Sequence, residues 1–119
     1  MKLIVILSHG SRSKNSNILT EKVARSVGKA LNMNVAIANL QLSPPYLEEV
    51  IERAYKEGVR NFVIHPFFLH KGVHVEEDIP AMIAKLQEQY SDATFVLTDV
   101  TGSSNFIVDA VLETVRGSL

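Results

Sequence analysis

Leu3-Ile4-Val5-Ile6-Leu7, followed at once by Ser8-His9-Gly10-Ser11-Arg12-Ser13, is the stretch that decides the fold. An unbroken apolar run rich in β-branched residues suits a strand covered on both faces, as in a parallel sheet; a strand with one wet face would alternate. The polar, glycine-containing segment then ends it. Downstream, Ile18, Leu19, Val23, Val27, Ala30 and Leu31 recur at helical spacing with Glu21, Lys22, Arg25 and Lys29 between them, the pattern of an amphipathic crossover helix. Strand, loop and helix in that order make one β-α unit.

Three more units follow. Val35 to Leu42 reads as a second strand, and Ser43-Pro44-Pro45 supplies helix-start chemistry, serine as cap and proline in the first turn. Leu47, Val50, Ile51 and Ala54 form the buried stripe of that helix, closed by Gly58 as its C′ residue. Asn61 to His65 is a third strand stopped by Pro66, which cannot continue a central ladder. Ile79, Met82, Ile83, Leu86 and Tyr90 make the cleanest amphipathic stripe, with Pro80 near its start. Thr94 to Val100 is the fourth strand, Gly102-Ser103-Ser104 a turn and cap, and Phe106, Ile107, Ala110, Val111 and Val115 the last helical face. The alternation predicts an α/β fold: one doubly wound domain over residues 1–119, a four-stranded parallel sheet in the order 2-1-3-4, and helices on both faces. Ligands bind such sheets beyond the carboxyl ends of the strands, beside the switch between strands 1 and 3. A sheet of four strands is small, so pairing with a second copy is expected.

Composition narrows the function. Of 119 residues, 46% are hydrophobic, enough for a core. Twelve basic and thirteen acidic residues give a formal charge of −1 with no block of one sign, which argues against a nucleic-acid surface. There is no cysteine, so disulfides, thiolate catalysis and cysteine-ligated zinc are excluded. Any metal chemistry rests on imidazole and carboxylate. The opening apolar run is too short for a signal peptide, and no stretch reaches the ~18 apolar residues of a membrane span, so a cytoplasmic protein is expected.

The four histidines sit where ligands are expected. His9 follows the first strand; His65, His70 and His74 lie at and beyond the end of the third, ahead of Glu76-Glu77-Asp78. His65, ending a core strand, reads as a hydrogen-bonded structural histidine, and the role of His70 stays open. Glu76 and Glu77 read as acids favoured by the dipole of a helix start. The Ser8–Ser13 loop suits an anion at a helix N-terminus, with Arg12 adding charge, or equally a capped turn. It is neither a Walker loop nor a dinucleotide fingerprint. Pro66-Phe67-Phe68-Leu69 is either core or the apolar wall of a large flat ligand.

Taken in order, Ser8-His9-Gly10-Ser11-Arg12, Pro45-Tyr46-Leu47-Glu48-Glu49, Pro66-Phe67-Phe68-Leu69, Gly72-Val73-His74 and Asp78-Ile79-Pro80 resemble the short class II chelatases of the CbiX/SirB group. These insert a divalent metal into sirohydrochlorin or a related tetrapyrrole, and the resemblance spans nearly the whole chain. It implies His9 and His74 as metal ligands and catalytic residues. It also implies a homodimer resembling the two halves of a longer chelatase. The metal would be a substrate, cobalt foremost with iron or nickel as alternatives, and no organic cofactor is implied. One position departs from the pattern: where many members carry a glutamate after the second strand, this chain has Gln41, a neutral amide that cannot act as a carboxylate base.

The residue chemistry agrees with that resemblance. Two neutral imidazoles with open coordination positions suit cobalt, iron or nickel and hold the ion loosely enough to pass it on. Ser11 in the loop, with Arg12, Lys14 and Lys71, would bind the macrocycle's carboxylates, Arg12 foremost because guanidinium binds carboxylate bidentately. Phe67, Phe68 and Leu69 would form the wall. Two other classes compete: a non-catalytic metal or tetrapyrrole carrier, and, on His9-Gly10 alone, a histidine phosphatase, which usually has arginine where Ser8 stands.

Overall fold

The computed structural model describes residues 1–13, 15 and 17–119, with His74 described by its backbone alone. Strands β1 (Lys2–Ser8), β2 (Asn34–Asn39), β3 (Asn61–Pro66) and β4 (Thr94–Leu97) form one parallel sheet in the order β2-β1-β3-β4. Helices α1 (Ile18–Leu31), α2 (Leu47–Lys56), α3 (Ile79–Gln89) and α4 (Phe106–Arg116) follow them in turn. The predicted strand order is the observed one. It leaves the ends of β1 and β3 adjacent, with Leu7 opposite Pro66.

The register divides the core cleanly between the two faces of the sheet. Leu3, Val5, Leu7, Phe62 and Ile64 point to one face and pack with Leu47, Ile51 and Ala54 of α2 and Ile79 and Leu86 of α3. Ile4 and Ile6 point to the other, where Ala24 of α1 meets them. Both faces of β1 are therefore dry, which is why its sequence shows no alternation. Among the described residues no helix is long and apolar enough to cross a membrane.

Helix α1 does not use the face its large residues suggest. Ile18, Leu19 and Leu31 are exposed, while Thr20 and Ala24 are buried. A methyl group at Gly28 would stand 3.0 Å from the Met33 carbonyl oxygen and 3.4 Å from Val35. Thr20, Ala24 and Gly28 thus lie one above another at four-residue spacing, and their small size lets the helix sit close to the sheet. Hydrophobicity alone does not mark such a face.

Other boundaries differ for local reasons. Strand β2 ends at Asn39 and not at Leu42, because the buried Asn39 amide donates to the Asn17 side chain at 3.1 Å and to the Ser43 carbonyl at 3.0 Å, turning the chain. Ser43 does not cap α2, and the prolines precede its first turn: Tyr46 is the N-cap residue, and Pro44 and Pro45, joined by a cis peptide, lead into it. Gly58 does close α2, with φ +102°. Strand β4 stops at Leu97 instead of Val100; the Thr98 amide still donates to the Ile64 carbonyl at 3.0 Å, and its hydroxyl lies 2.8 Å from His65 Nδ1. The fourth helix carries the largest departure. None of its residues is buried; Phe106 is 77% exposed and Val111 56%, so its apolar face does not lie on the sheet.

Candidate functional site

The carboxyl edge of the sheet is assembled by backbone contacts that continue past the strands. The amides of Leu40 and Gln41 donate to the carbonyls of Ser8 and His9 at 2.9 and 3.1 Å, so the β1-β2 ladder runs on by two bonds. Gly10, with φ +99°, lies so close to Gln41 that any β-carbon there would collide with the Gln41 carbonyl oxygen. On the other side of β1, the Phe67 amide donates to the Leu7 carbonyl at 2.7 Å. His9 therefore projects from a rigid seam between two neighbouring loops.

The side chains of Gln41 and Phe68 both reach the His9 ring. The side-chain nitrogen of Gln41 is 3.2 Å from His9 Nε2. Phe68 meets the ring edge-on at 74°, its centroid 6.5 Å away. The structure separates roles that the apolar stretch left joined. Phe67 packs with the Ile4–Ile6–Ala24 cluster, and Phe68 packs with the opposite core while reaching His9. Leu69, 63% exposed, lines an open groove of about 340 Å³ against Ile107, Ala110, Val111, Thr114 and Val115.

His65 is structural, as its position suggests. Its Nδ1 lies 2.8 Å from the Thr98 hydroxyl and its Nε2 2.7 Å from the Thr101 hydroxyl. Both ring nitrogens thus face a threonine hydroxyl, and the two hydroxyls also approach the Asp99 and Pro66 carbonyls at 2.9 and 3.5 Å. Burial holds its pKa below the ordinary histidine value, near 6.5. A proton taken up there favours the unfolded chain, so the stability this group contributes is complete above ~pH 6.5 and is lost as the pH falls below it. Urea midpoints measured from pH 7.5 to 5 should decline more steeply for the wild type than for His65→Leu. At pH 7.5 the substitution should cost about 1–3 kcal/mol for the two lost bonds.

The expected anion-binding groups are less uniform than the sequence suggests. Lys71 is paired with Asp99 at 2.9 Å, and that bond is the main reason the Asp99 carboxyl is held below its ordinary pKa. Ser11 is part of the loop's own bonding: its amide donates to Ser43 Oγ at 3.3 Å, and its hydroxyl accepts from the Ser13 amide at 3.1 Å. Arg12 and His70 are exposed, and Lys14 lies outside the described residues. His74 opens a π-helical turn, His74–Asp78, that runs into α3, with the Gly72 carbonyl accepting from the amides of Val75 and Glu76. The side chain of His74 lies outside the described residues. Glu76 and Glu77 are exposed in this turn.

The sequence profile of the CbiX family matches residues 3–118, nearly the whole chain. The chain belongs to the CbiX family. Among relatives of this CbiX chain, the sirohydrochlorin cobaltochelatase of Methanopyrus kandleri is 33% identical over 77% of the chain and 64% of its own length. The chloroplastic sirohydrochlorin ferrochelatase of Arabidopsis thaliana is 26% identical over 98% of the chain and 52% of its own length. The chain thus spans about half to two thirds of these curated relatives. A CbiX protein from Marinobacter aquaeolei superposes with a TM-score of 0.87 at 30% identity, covering 99% of this chain and 97% of that one. The sirohydrochlorin chelatase SirB of Bacillus subtilis, solved with cobalt, shares the fold at 24% identity and a TM-score of 0.86, with this chain matching 50% of it.

The partners of His9 and His65 were not evident from motifs. Gln41 stands out in sequence only as a departure from the family pattern, yet strand register places it beside His9. Thr98, Thr101 and Asp99 carry no local signal, because β4 brings them to β3 only through pairing.

Proposed function

We propose that this CbiX chain inserts a divalent metal ion into sirohydrochlorin, with cobalt the preferred ion and His9 and His74 its ligands. The observation that carries the reading is His9 itself, an imidazole fixed at the carboxyl edge beside the β1-β3 switch point and backed by Phe68, in a chain matched by the CbiX profile over 3–118. Relatives named for cobalt and for iron support the substrate class and divide over the metal. The reaction requires an ion held loosely enough to be surrendered, and neutral imidazole meets that requirement. It also releases two pyrrole protons, which a histidine leaving the metal can accept. Arg12 is the first contact for the macrocycle's carboxylates. Lys71 joins it only by exchanging its bond to Asp99.

The test is a competition. Metal-free protein is given limiting sirohydrochlorin with cobalt, ferrous iron and nickel in equal excess, under anaerobic conditions, and the products are separated by mass. Cobalt-sirohydrochlorin is expected to dominate. A product mixture matching the protein-free control would defeat the proposal.

The homodimer belongs to the same proposal. Helix α4 exposes Val108, Val111, Leu112 and Val115 along one face, and soluble monomers seldom present so continuous an apolar strip. A second copy would supply what the other half supplies in relatives of twice the length. Sedimentation should give a dimer for the wild type and a monomer of unchanged circular dichroism for Val111→Asp. A monomeric wild type would remove the assignment.

A further inference from the structure

The two faces of the sheet are covered unequally. Helices α2 and α3 pack on the face of Leu3, Val5, Phe62 and Ile64, while α1 alone packs on the face of Ile4 and Ile6. The outer strands of a four-stranded sheet stand about 14 Å apart, at ~4.8 Å per strand, and helices pack about 8–10 Å apart, so each face has room for two. On the second face the register aligns Ile4 with Val63 and Val63 with Val96, which carries that face out to β4. Val96 is 55% exposed there. Glu21 and Arg25 of α1 border a groove over β2 with Val35 and Ile37, so the opposite flank of the helix, with Leu19, Val23 and Val27, faces β3 and β4. The result is a trough one helix wide, with an apolar floor and an apolar wall.

The chain also has one helix without a place. No residue of α4 is buried, and Val108, Val111, Leu112 and Val115 form its exposed apolar strip. Its 11 residues run ~16 Å, against ~20 Å for the 6 residues of β3. The turn before it is tied elsewhere: the Gly102 amide donates to the Phe68 carbonyl at 2.9 Å, and a β-carbon at Gly102 would collide with the Leu69 carbonyl oxygen. Leu69 then lies against Ile107, Ala110 and Val111, so α4 starts beyond the carboxyl edge and leaves its own trough open. The molecule is elongated, 53 × 33 × 29 Å with a radius of gyration of 15.0 Å, where a compact chain of this length has about 13.5 Å.

We propose that two copies of the chain exchange α4, the apolar strip of each helix lying in the trough over β3 and β4 of the other. The inference rests on the homodimer proposed above and specifies how it is built. Each copy offers one unfilled trough and one unplaced helix, the self-complementary pair that a two-fold dimer needs. A contact between the two α4 strips would leave both troughs open. The exchanged helix follows directly on the turn that holds the Phe68 carbonyl, and Phe68 meets His9, so pairing braces the candidate site as well as the sheet.

The experiment uses the chain's lack of cysteine. Val96→Cys is unfolded and refolded together with Val108→Cys, Val111→Cys, Leu112→Cys or Val115→Cys, treated with a short bis-maleimide, and the joined peptides are identified by mass spectrometry. Exchange predicts that position 96 of one copy is joined to at least one α4 position of another. Crosslinks from α4 to α4 alone would overturn the exchange and leave the homodimer in place. No crosslink between copies would overturn it as well, and a chain that also sediments as a monomer would remove the homodimer with it. Val96→Asp gives a second readout: Val96 is exposed within one copy, so the variant is expected to fold, yet its dimer should dissociate at least tenfold more readily. A folded Val96→Asp that dimerises within twofold of wild type would show that α4 is seated somewhere other than the trough.

Discussion

Gly10→Ala is expected to be among the most damaging single-methyl changes in the chain. The residue has φ +99°, where a non-glycine residue is strained, and the added β-carbon would meet the Gln41 carbonyl oxygen, a backbone atom that cannot swing aside. Strain and overpacking together should cost on the order of 3–5 kcal/mol, against a total stability of about 5–15 kcal/mol for a domain. Relief can come only from parting the seam, which breaks the Gln41-to-His9 backbone bond and displaces the imidazole. A urea melt should show the loss, and a cobalt titration of the folded fraction should show weakened binding. Gly58→Ala is the internal comparison. Gly58 also has positive φ but nothing within 4 Å of a β-carbon, so it should lose only the strain, about 1 kcal/mol. Equal losses at the two positions would mean that the seam is not the rigid element described.

The second large effect is on activity. His9→Ala is expected to lower metal insertion roughly 100-fold or more, beyond the 10–100-fold typical of losing a residue that only supports a ligand. Stability should change by less than about 1 kcal/mol, because the ring is only half-buried and the change strains no backbone. His65→Leu should show the opposite profile, with stability lost and insertion per folded molecule retained, since both ring nitrogens are committed to Thr98 and Thr101. A His9→Ala protein that inserted metal at the wild-type rate would remove the imidazole from the mechanism.

The contrast between these histidines shows how far the sequence could be read. Apolar runs such as Leu3–Leu7 and the stripe from Ile79 to Tyr90 identify strand and helix because burial on two faces, or on one, leaves a different period. Right-handed crossovers then give the strand order. The faces of α1 and α4 were not legible. The first is set by small residues that permit close approach, and the second exposes the side chains that a hydrophobic count assigns to a core. At the candidate site, the placement of His9 and the structural character of His65 could be read from strand ends. The contacts that hold them could not, because Gln41, Thr98 and Thr101 reach them through sheet register, which links residues more than thirty positions apart. Lys71 shows the same limit, being a plausible carboxylate partner in sequence and an ion-paired residue in the fold.

A turnover count tests the central proposal most directly. Purified protein at low concentration is mixed anaerobically with a large excess of sirohydrochlorin and cobalt, and the macrocycle's absorbance is followed against a protein-free control. The proposal predicts many metallated macrocycles per chain, formed at a rate proportional to protein concentration and lost in His9→Ala. A reaction that stops at one equivalent per chain, or that proceeds no faster than the control, would contradict it and leave a carrier in place of an enzyme.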